Sequence, residues 1–130
     1  MDGVRTHGLL YEDEAFQIRG AVFAVYRAMG RGFLEAVYQE CLEIELGRRG
    51  VPFETHRALG LSYLGQALRQ SYIADLICYD RIIVELKAAR AIAPEHRAQI
   101  INYLHATDMK LGLLVNFGSA PRVEIERFAV

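Results

Sequence analysis

Two acidic residues and a lysine in the middle of the chain have the types and spacing of a metal-binding hydrolytic site. Asp75 and Glu85 flank a turn that the sequence predicts at Asp80, and Lys87 follows two residues after Glu85. If the hairpin is centred on Asp80, residues whose numbers sum to 160 lie opposite each other, so the two acids are neighbours across the strands. Carboxylates ~5 Å apart repel by roughly 3 kcal/mol at an effective dielectric near ~20. A divalent cation such as Mg²⁺ or Mn²⁺ reverses the sign of that interaction.

The strand after the turn places Lys87 beside these acids. Side chains alternate along a strand, so Glu85 and Lys87 share one face of the strand predicted over 81–87, and apolar side chains share the other. We therefore expect a sheet that is covered on one side and opens into a cleft on the other. In such a cleft Lys87 can orient or deprotonate a water next to a metal. The residues leave one alternative open, a solvated hairpin in which Lys87 simply pairs with an acid.

The elements that must position these residues follow from hydrophobic periodicity and from glycine and proline positions. The order of elements is α-α-β-β-β-α-β-β, which predicts one α/β domain over residues 1–130, with residues 1–10 expected to be frayed. The predicted helices cover 12–29, about 34–48 and 94–106, and the predicted strands cover 53–64, 68–79, 81–87, 110–117 and 123–128.

The composition excludes several classes of protein. Hydrophobic residues make up 52% of the 130, which excludes a disordered tail, and no apolar run is long enough to cross a membrane. Cys41 and Cys78 have no close partner for a zinc or iron–sulfur site, so we interpret them as reduced core thiols. Without a signal peptide, these features indicate the cytoplasm. A net charge of −1 argues against a broadly basic nucleic-acid-binding surface, although a local basic rim stays open.

Asp75 with Glu85-Leu86-Lys87 resembles the D…(D/E)-X-K signature of the PD-(D/E)XK nuclease superfamily. The resemblance extends over roughly residues 10–120, and Ala74 stands where the superfamily name has a proline that is not a ligand. The stretch 32–38 resembles the GxxExxY motif of a family of small bacterial proteins grouped with that fold. The resemblance implies a restriction-endonuclease-like core, in which a central mixed sheet of about five strands is flanked by helices.

The third predicted helix adds a further likeness. Gln99 and Tyr103 resemble the QxxxY motif of the RecB-like nuclease branch, and they share one helical face because they are four residues apart. In the resemblance, the glutamine lies beside the metal site and the tyrosine reaches toward the substrate backbone. His96, one turn earlier, could contact phosphate. The residues alone favour a simpler interpretation of all three side chains. Tyr103 would be a half-buried packing aromatic, Gln99 a surface amide and His96 a solvent-facing side chain.

The motif in the second helix allows two interpretations of its glutamate. Glu35 falls in the first turn, where the helix dipole favours a negative charge by about 0.3–1 kcal/mol in any protein. In related nucleases an acid from an early helix completes the metal shell. Tyr38 is expected to be a core residue with a hydrogen-bonded hydroxyl. The resemblance implies metal ligation by Asp75, Glu85, the Leu86 carbonyl and Glu35.

Together these features predict a Mg²⁺-dependent nuclease, with DNA favoured over RNA only by analogy with the superfamily. Lys87 would position the attacking water and Gln99 would order the site. A chain this short has little surface for a duplex, so a homodimer or a protein partner would help to supply it. The alternative from another class is a non-catalytic module that binds nucleic acid or protein and keeps the nuclease fold. A phosphoesterase acting on a small nucleotide is a third interpretation.

Overall fold

Over residues 9–130, the computed structural model contains three helices and five strands in the predicted order. Of the segment expected to be frayed, residues 1–8 lie outside the described part of the chain, and the Leu10 carbonyl accepts a hydrogen bond from Arg127. The elements are α1 (Glu12–Met29), α2 (Glu35–Arg48), β1 (Phe53–Tyr63), β2 (Gln66–Cys78), β3 (Ile82–Lys87), α3 (Pro94–Thr107), β4 (Leu111–Asn116) and β5 (Glu124–Ala129).

The five strands form one mixed sheet in the order β1-β2-β3-β4-β5. Among the strands of residues 9–130, only β3 and β4 pair in parallel, and α3 makes the crossover between them, as parallel neighbours require. The remaining pairs are antiparallel. The prediction of an α/β fold with a mixed sheet flanked by helices is therefore confirmed.

Helices cover both faces of the sheet. Helices α1 and α2 pack on one face through buried residues such as Ile18 and Leu42, against the even-numbered side chains of β3. On the opposite face, Ile100 of α3 packs against Ile83 of β3. Gly112 of β4 allows this close approach, because a Cβ there would lie 2.9 Å from Ile100 Cδ1. Both faces of the sheet therefore carry helices, and the cleft expected on the face with Glu85 and Lys87 is a small cavity under α3.

The even-numbered side chains of β2 change from one face of the sheet to the other partway along the strand. Tyr72 and Ala74 pack in the cluster under α3, whereas Leu76 and Cys78 pack in the cluster under α1 and α2. Strict alternation would keep these four even-numbered residues on one face. The reversal occurs at Asp75, and His56 of the neighbouring strand has a positive φ of 50° between the pairs that flank this point.

Both cysteines are free thiols, with Cys78 buried and Cys41 partly buried against the same core, as predicted. Within residues 9–130, none of the helices combines the length and apolar character needed to cross a membrane.

Candidate active site

Asp75 and Glu85 meet where the β2–β3 ladder ends. The predicted register is confirmed, since Cys78 pairs with Ile82 and Leu76 with Val84, the last pair of the ladder. Beyond it, carboxylates replace carbonyls as acceptors. Asp75 Oδ2 accepts the Leu86 N–H at 2.9 Å, and Glu85 Oε2 accepts the Asp75 N–H at 3.3 Å.

Burial and the neighbouring acid change the protonation of Glu85. Removal from water raises its pKa, the charge of Asp75 raises it further, and the result is a pKa of about 8 against an ordinary 4.5. The Tyr72 hydroxyl donates to Glu85 Oε2, which opposes the shift by stabilising the carboxylate. Burial, followed by the charge of Glu85, raises the pKa of Tyr72, so this hydroxyl keeps its proton. Near neutral pH, Glu85 therefore holds a proton that a divalent cation can displace.

Glu35 approaches the pair from the N-terminus of α2. Partial burial raises its pKa, Asp75 raises it further, and Lys87 and His96 oppose that shift. The four groups therefore share one electrostatic environment, although they come from α2, β2, β3 and α3. The structure brings Glu35 to the site, while its side chain stays largely exposed.

The GxxExxY segment has a structural explanation in the turn before α2. Gly32 has a φ of 113°, a conformation that side-chain-bearing residues rarely adopt. The fully buried Tyr38 donates its hydroxyl to the Gly30 carbonyl and accepts the Phe33 N–H at 3.3 Å. Its ring stacks on Phe117 with centroids 4.5 Å apart. These contacts fix the turn that presents Glu35, and they confirm Tyr38 as a core residue with a hydrogen-bonded hydroxyl.

Lys87, His96 and Gln99 border a small cavity whose lining also includes Tyr72 and Glu85. Lys87 is half-buried at the end of β3, and Gln99 is exposed on α3. Asn116, fully buried at the end of β4, fastens the segment that follows Lys87 by pairing with both the N–H and the carbonyl of Ala89.

His96 has a local role that the sequence interpretation did not include. Its Nδ1 accepts the Ala93 N–H at 3.1 Å at the start of α3. In the neutral ring the proton then lies on Nε2. The ring is half-buried rather than solvent-facing, and it contributes to the environment of Glu35.

Tyr103 lies one layer behind the site. Its ring stacks on the Tyr72 ring with centroids 3.9 Å apart and planes at 11°, and the residue is half-buried. This arrangement agrees with the packing interpretation of Tyr103. The expected contact with a substrate backbone stays a prediction.

Two site residues were missed in the sequence. Alternation places Tyr72 on the face opposite Asp75, so no sequence signal brings it to Glu85 before the reversal in β2 is known. Gln39 donates to the Asp75 carbonyl at 3.1 Å and to Glu43 at 3.0 Å, and thereby links α2 to β2. Its position one turn after Glu35 on the same helical face could have indicated it.

The oxygen donors near the end of the ladder suit Mg²⁺ or Mn²⁺. Within residues 9–130, no group of three or more His, Cys, Asp or Glu side chains is arranged to hold a metal ion. The donors near the ladder end are the Asp75 and Glu85 carboxylates, and the Leu86 carbonyl, which faces β2 as its N–H does. Mg²⁺ is commonly held by one or two carboxylates and several waters, so this set of hard oxygens fits it.

Comparison with known proteins identifies the class that this fold and site define. The family model of the PD-(D/E)XK nuclease superfamily matches residues 12–128. The chain therefore belongs to the PD-(D/E)XK nuclease superfamily. No curated protein matches it significantly.

Among solved structures, the chain is similar to the crystal structure of SSO0001, with a TM-score of 0.55 and 22% sequence identity. The match covers 92% of this chain and 59% of that protein, so the chain spans about three fifths of its length. At this identity the likeness supports the fold alone.

Proposed function

We propose that the protein is a metal-dependent nuclease that hydrolyses phosphodiester bonds in nucleic acid. The observation that carries the proposal is the meeting of Asp75 and Glu85 at the end of the β2–β3 ladder, with Lys87 beside them, in a chain of the nuclease superfamily. DNA is favoured over RNA by analogy with the superfamily.

The roles that we assign follow from the chemistry of each side chain. Asp75, Glu85 and the Leu86 carbonyl would hold Mg²⁺ or Mn²⁺, with Glu35 as a further ligand. The bound ion supplies polarisation of the scissile phosphate and a lowered pKa of its water. Lys87 would orient the attacking water and offset developing negative charge.

Three residues of α3 complete the assignment. Gln99 would order the groups around the cavity that it borders. His96 and Tyr103 would contact the substrate, His96 through the Nε2–H that its bond to Ala93 leaves available.

The test is a Mn²⁺-dependent nicking assay on circular DNA and on single-stranded RNA, with wild type, Lys87→Ala and Asp75→Asn. We expect wild type to cleave and both variants to lose cleavage while keeping their circular dichroism spectra. Lys110→Ala is the matched control, because Lys110 is exposed and lies next to Leu111 at the opposite end of β4 from the site. Equal cleavage by Lys87→Ala and wild type would refute the role of Lys87.

A non-catalytic module that binds nucleic acid or protein is the second candidate function. The observation that favours it is the net charge of −1, which is unusual for a chain that must approach a polyanion without help. Absence of cleavage on every DNA and RNA form, together with retained binding, would select it. Hydrolysis of a model diester without cleavage of polymer would instead select the small-nucleotide phosphoesterase.

We also propose membership of the GxxExxY family, a RecB-like arrangement of α3, a single domain and a cytoplasmic location. The contacts of Gly32 and Tyr38 support the first of these, because both residues shape the turn that presents Glu35. A homodimer or a protein partner would add the surface that a duplex needs. Light scattering with and without DNA tests the homodimer.

A further inference from the structure

The orientation of the Glu85 carboxylate depends on a tyrosine that has no counterpart in the motifs of the sequence. Tyr72 is 7% exposed, and its hydroxyl donates to Glu85 Oε2. The same oxygen accepts the Asp75 N–H at 3.3 Å. Two hydrogen-bond donors from β2 thus hold one oxygen of Glu85 in place, and together they set the orientation of the carboxylate group.

Tyr72 is itself held by an aromatic contact from the helix across the cavity. The Tyr103 ring stacks on it with centroids 3.9 Å apart and planes at 11°. Parallel packing of this kind restricts the tilt of the Tyr72 ring, and therefore the direction of its hydroxyl. The face of Tyr103 that meets Tyr72 is unavailable for stacking on a base.

We propose that Tyr72 is the positioning residue of Glu85, and that Tyr103 acts on the site through Tyr72. The inference rests on the proposed function where it concerns metal binding, and on the tyrosine–carboxylate contact where it concerns the protein alone. It adds an indirect effect of Tyr103 on the site to the substrate contact proposed above.

The first test measures Mn²⁺ affinity by calorimetry in the absence of nucleic acid. Residues that orient a ligand without binding the metal typically contribute about 10–100-fold to affinity, so Tyr72→Phe should weaken Mn²⁺ binding by about that factor. Tyr103→Leu, which removes the stack, should weaken it several-fold, and Tyr103→Phe, which keeps the ring, should leave it unchanged. Tyr63→Phe is the control, because Tyr63 is 68% exposed on the β1–β2 hairpin.

The second test separates positioning from substrate contact. Tyr103→Leu should weaken Mn²⁺ binding measured without nucleic acid, whereas a residue that only contacts the substrate would affect duplex binding in Ca²⁺ alone. Weakened duplex binding in Ca²⁺ by Tyr103→Leu, together with its unchanged Mn²⁺ affinity, would overturn the inference for Tyr103. Wild-type Mn²⁺ affinity in Tyr72→Phe would overturn it as well.

A third test needs neither metal nor activity. In a double-mutant cycle on the metal-free protein, Tyr72→Phe should change the unfolding equilibrium constant about tenfold in wild type and less than about twofold in a Glu85→Ala background. Equal effects in the two backgrounds would overturn the inference. If wild type binds no Mn²⁺ and cleaves nothing, the proposed function fails, and this cycle still decides whether Tyr72 positions Glu85.

Discussion

Glutamine at position 85 imitates the protonated form of Glu85, so the Glu85→Gln variant isolates the effect of this one proton on stability. Its side-chain oxygen can still accept from Tyr72 and from the Asp75 N–H, the two donors to Glu85 Oε2. In the wild-type protein, burial and the nearby charge of Asp75 hold the pKa of Glu85 at about 8, against an ordinary 4.5.

The direction of the pH effect follows from where the proton resides. Between pH 4.5 and about pH 8, the folded protein keeps a proton that the unfolded chain has released, so the free energy of unfolding falls as the pH rises. The stabilisation that comes from this proton is complete below the ordinary pKa of 4.5, and it is lost as the pH rises to the folded-state pKa of about 8. The full difference corresponds to about 5 kcal/mol, and about 3 kcal/mol of it falls between about pH 5 and about pH 7.5.

We therefore expect the metal-free wild type to lose about 3 kcal/mol relative to Glu85→Gln over that interval. The assay is urea unfolding in EDTA at several pH values, with the difference between the two proteins removing the contribution of other titrating groups. Mn²⁺ should restore the wild type at pH 7.5 and leave the variant little changed. A difference in unfolding free energy that stays constant with pH would refute the assignment of a buried, protonated Glu85.

Three further predictions concern the residues that hold the site in place, each measured by urea unfolding. Tyr38→Phe removes a donor to one backbone group and an acceptor for another, and should cost about 1–3 kcal/mol; a cost below about 0.5 kcal/mol would contradict it. Gly32→Ala places a side chain at a φ of 113° and should cost about 1–3 kcal/mol, whereas the control Gly47→Ala, in a helix with space around it, should stabilise by about 0.5–1 kcal/mol. Asn116→Ala leaves the N–H and carbonyl of the half-buried Ala89 without their partner and should cost about 2–4 kcal/mol; unchanged unfolding would contradict it.

The parts of the site that the sequence predicted depend on short-range geometry. A tight turn fixes the register of the strands it joins, so locating the turn at Asp80 was sufficient to bring Asp75 and Glu85 together just beyond the last ladder pair. Alternation along the short strand β3 then placed Lys87 correctly. The position of Glu35 followed from the resemblance and not from spacing, because the helix dipole accounts equally well for an acid there.

The parts that the sequence did not predict depend on long-range packing. Periodicity reports that α3 has an apolar stripe, but it does not report which face of the sheet Ile100 covers. The reversal in β2 has no local signal either, because Tyr72 and Leu76 are both apolar at even positions. The contact between Tyr72 and Glu85 could therefore be found only in three dimensions.

The reversal of β2 at Asp75 gives this residue an unusual place between two interiors. An ordinary strand residue is in contact with one helical layer, but Asp75 is linked to α2 through Gln39, while its neighbour Glu85 is linked to α3 through stacked tyrosines. The two carboxylates thus lie at the boundary between the two helical layers, where a change in the packing of either layer displaces one acid relative to the other. A substitution deep in either hydrophobic cluster would consequently change the distance between the Asp75 and Glu85 carboxylates, even if the substituted residue contacts neither of them.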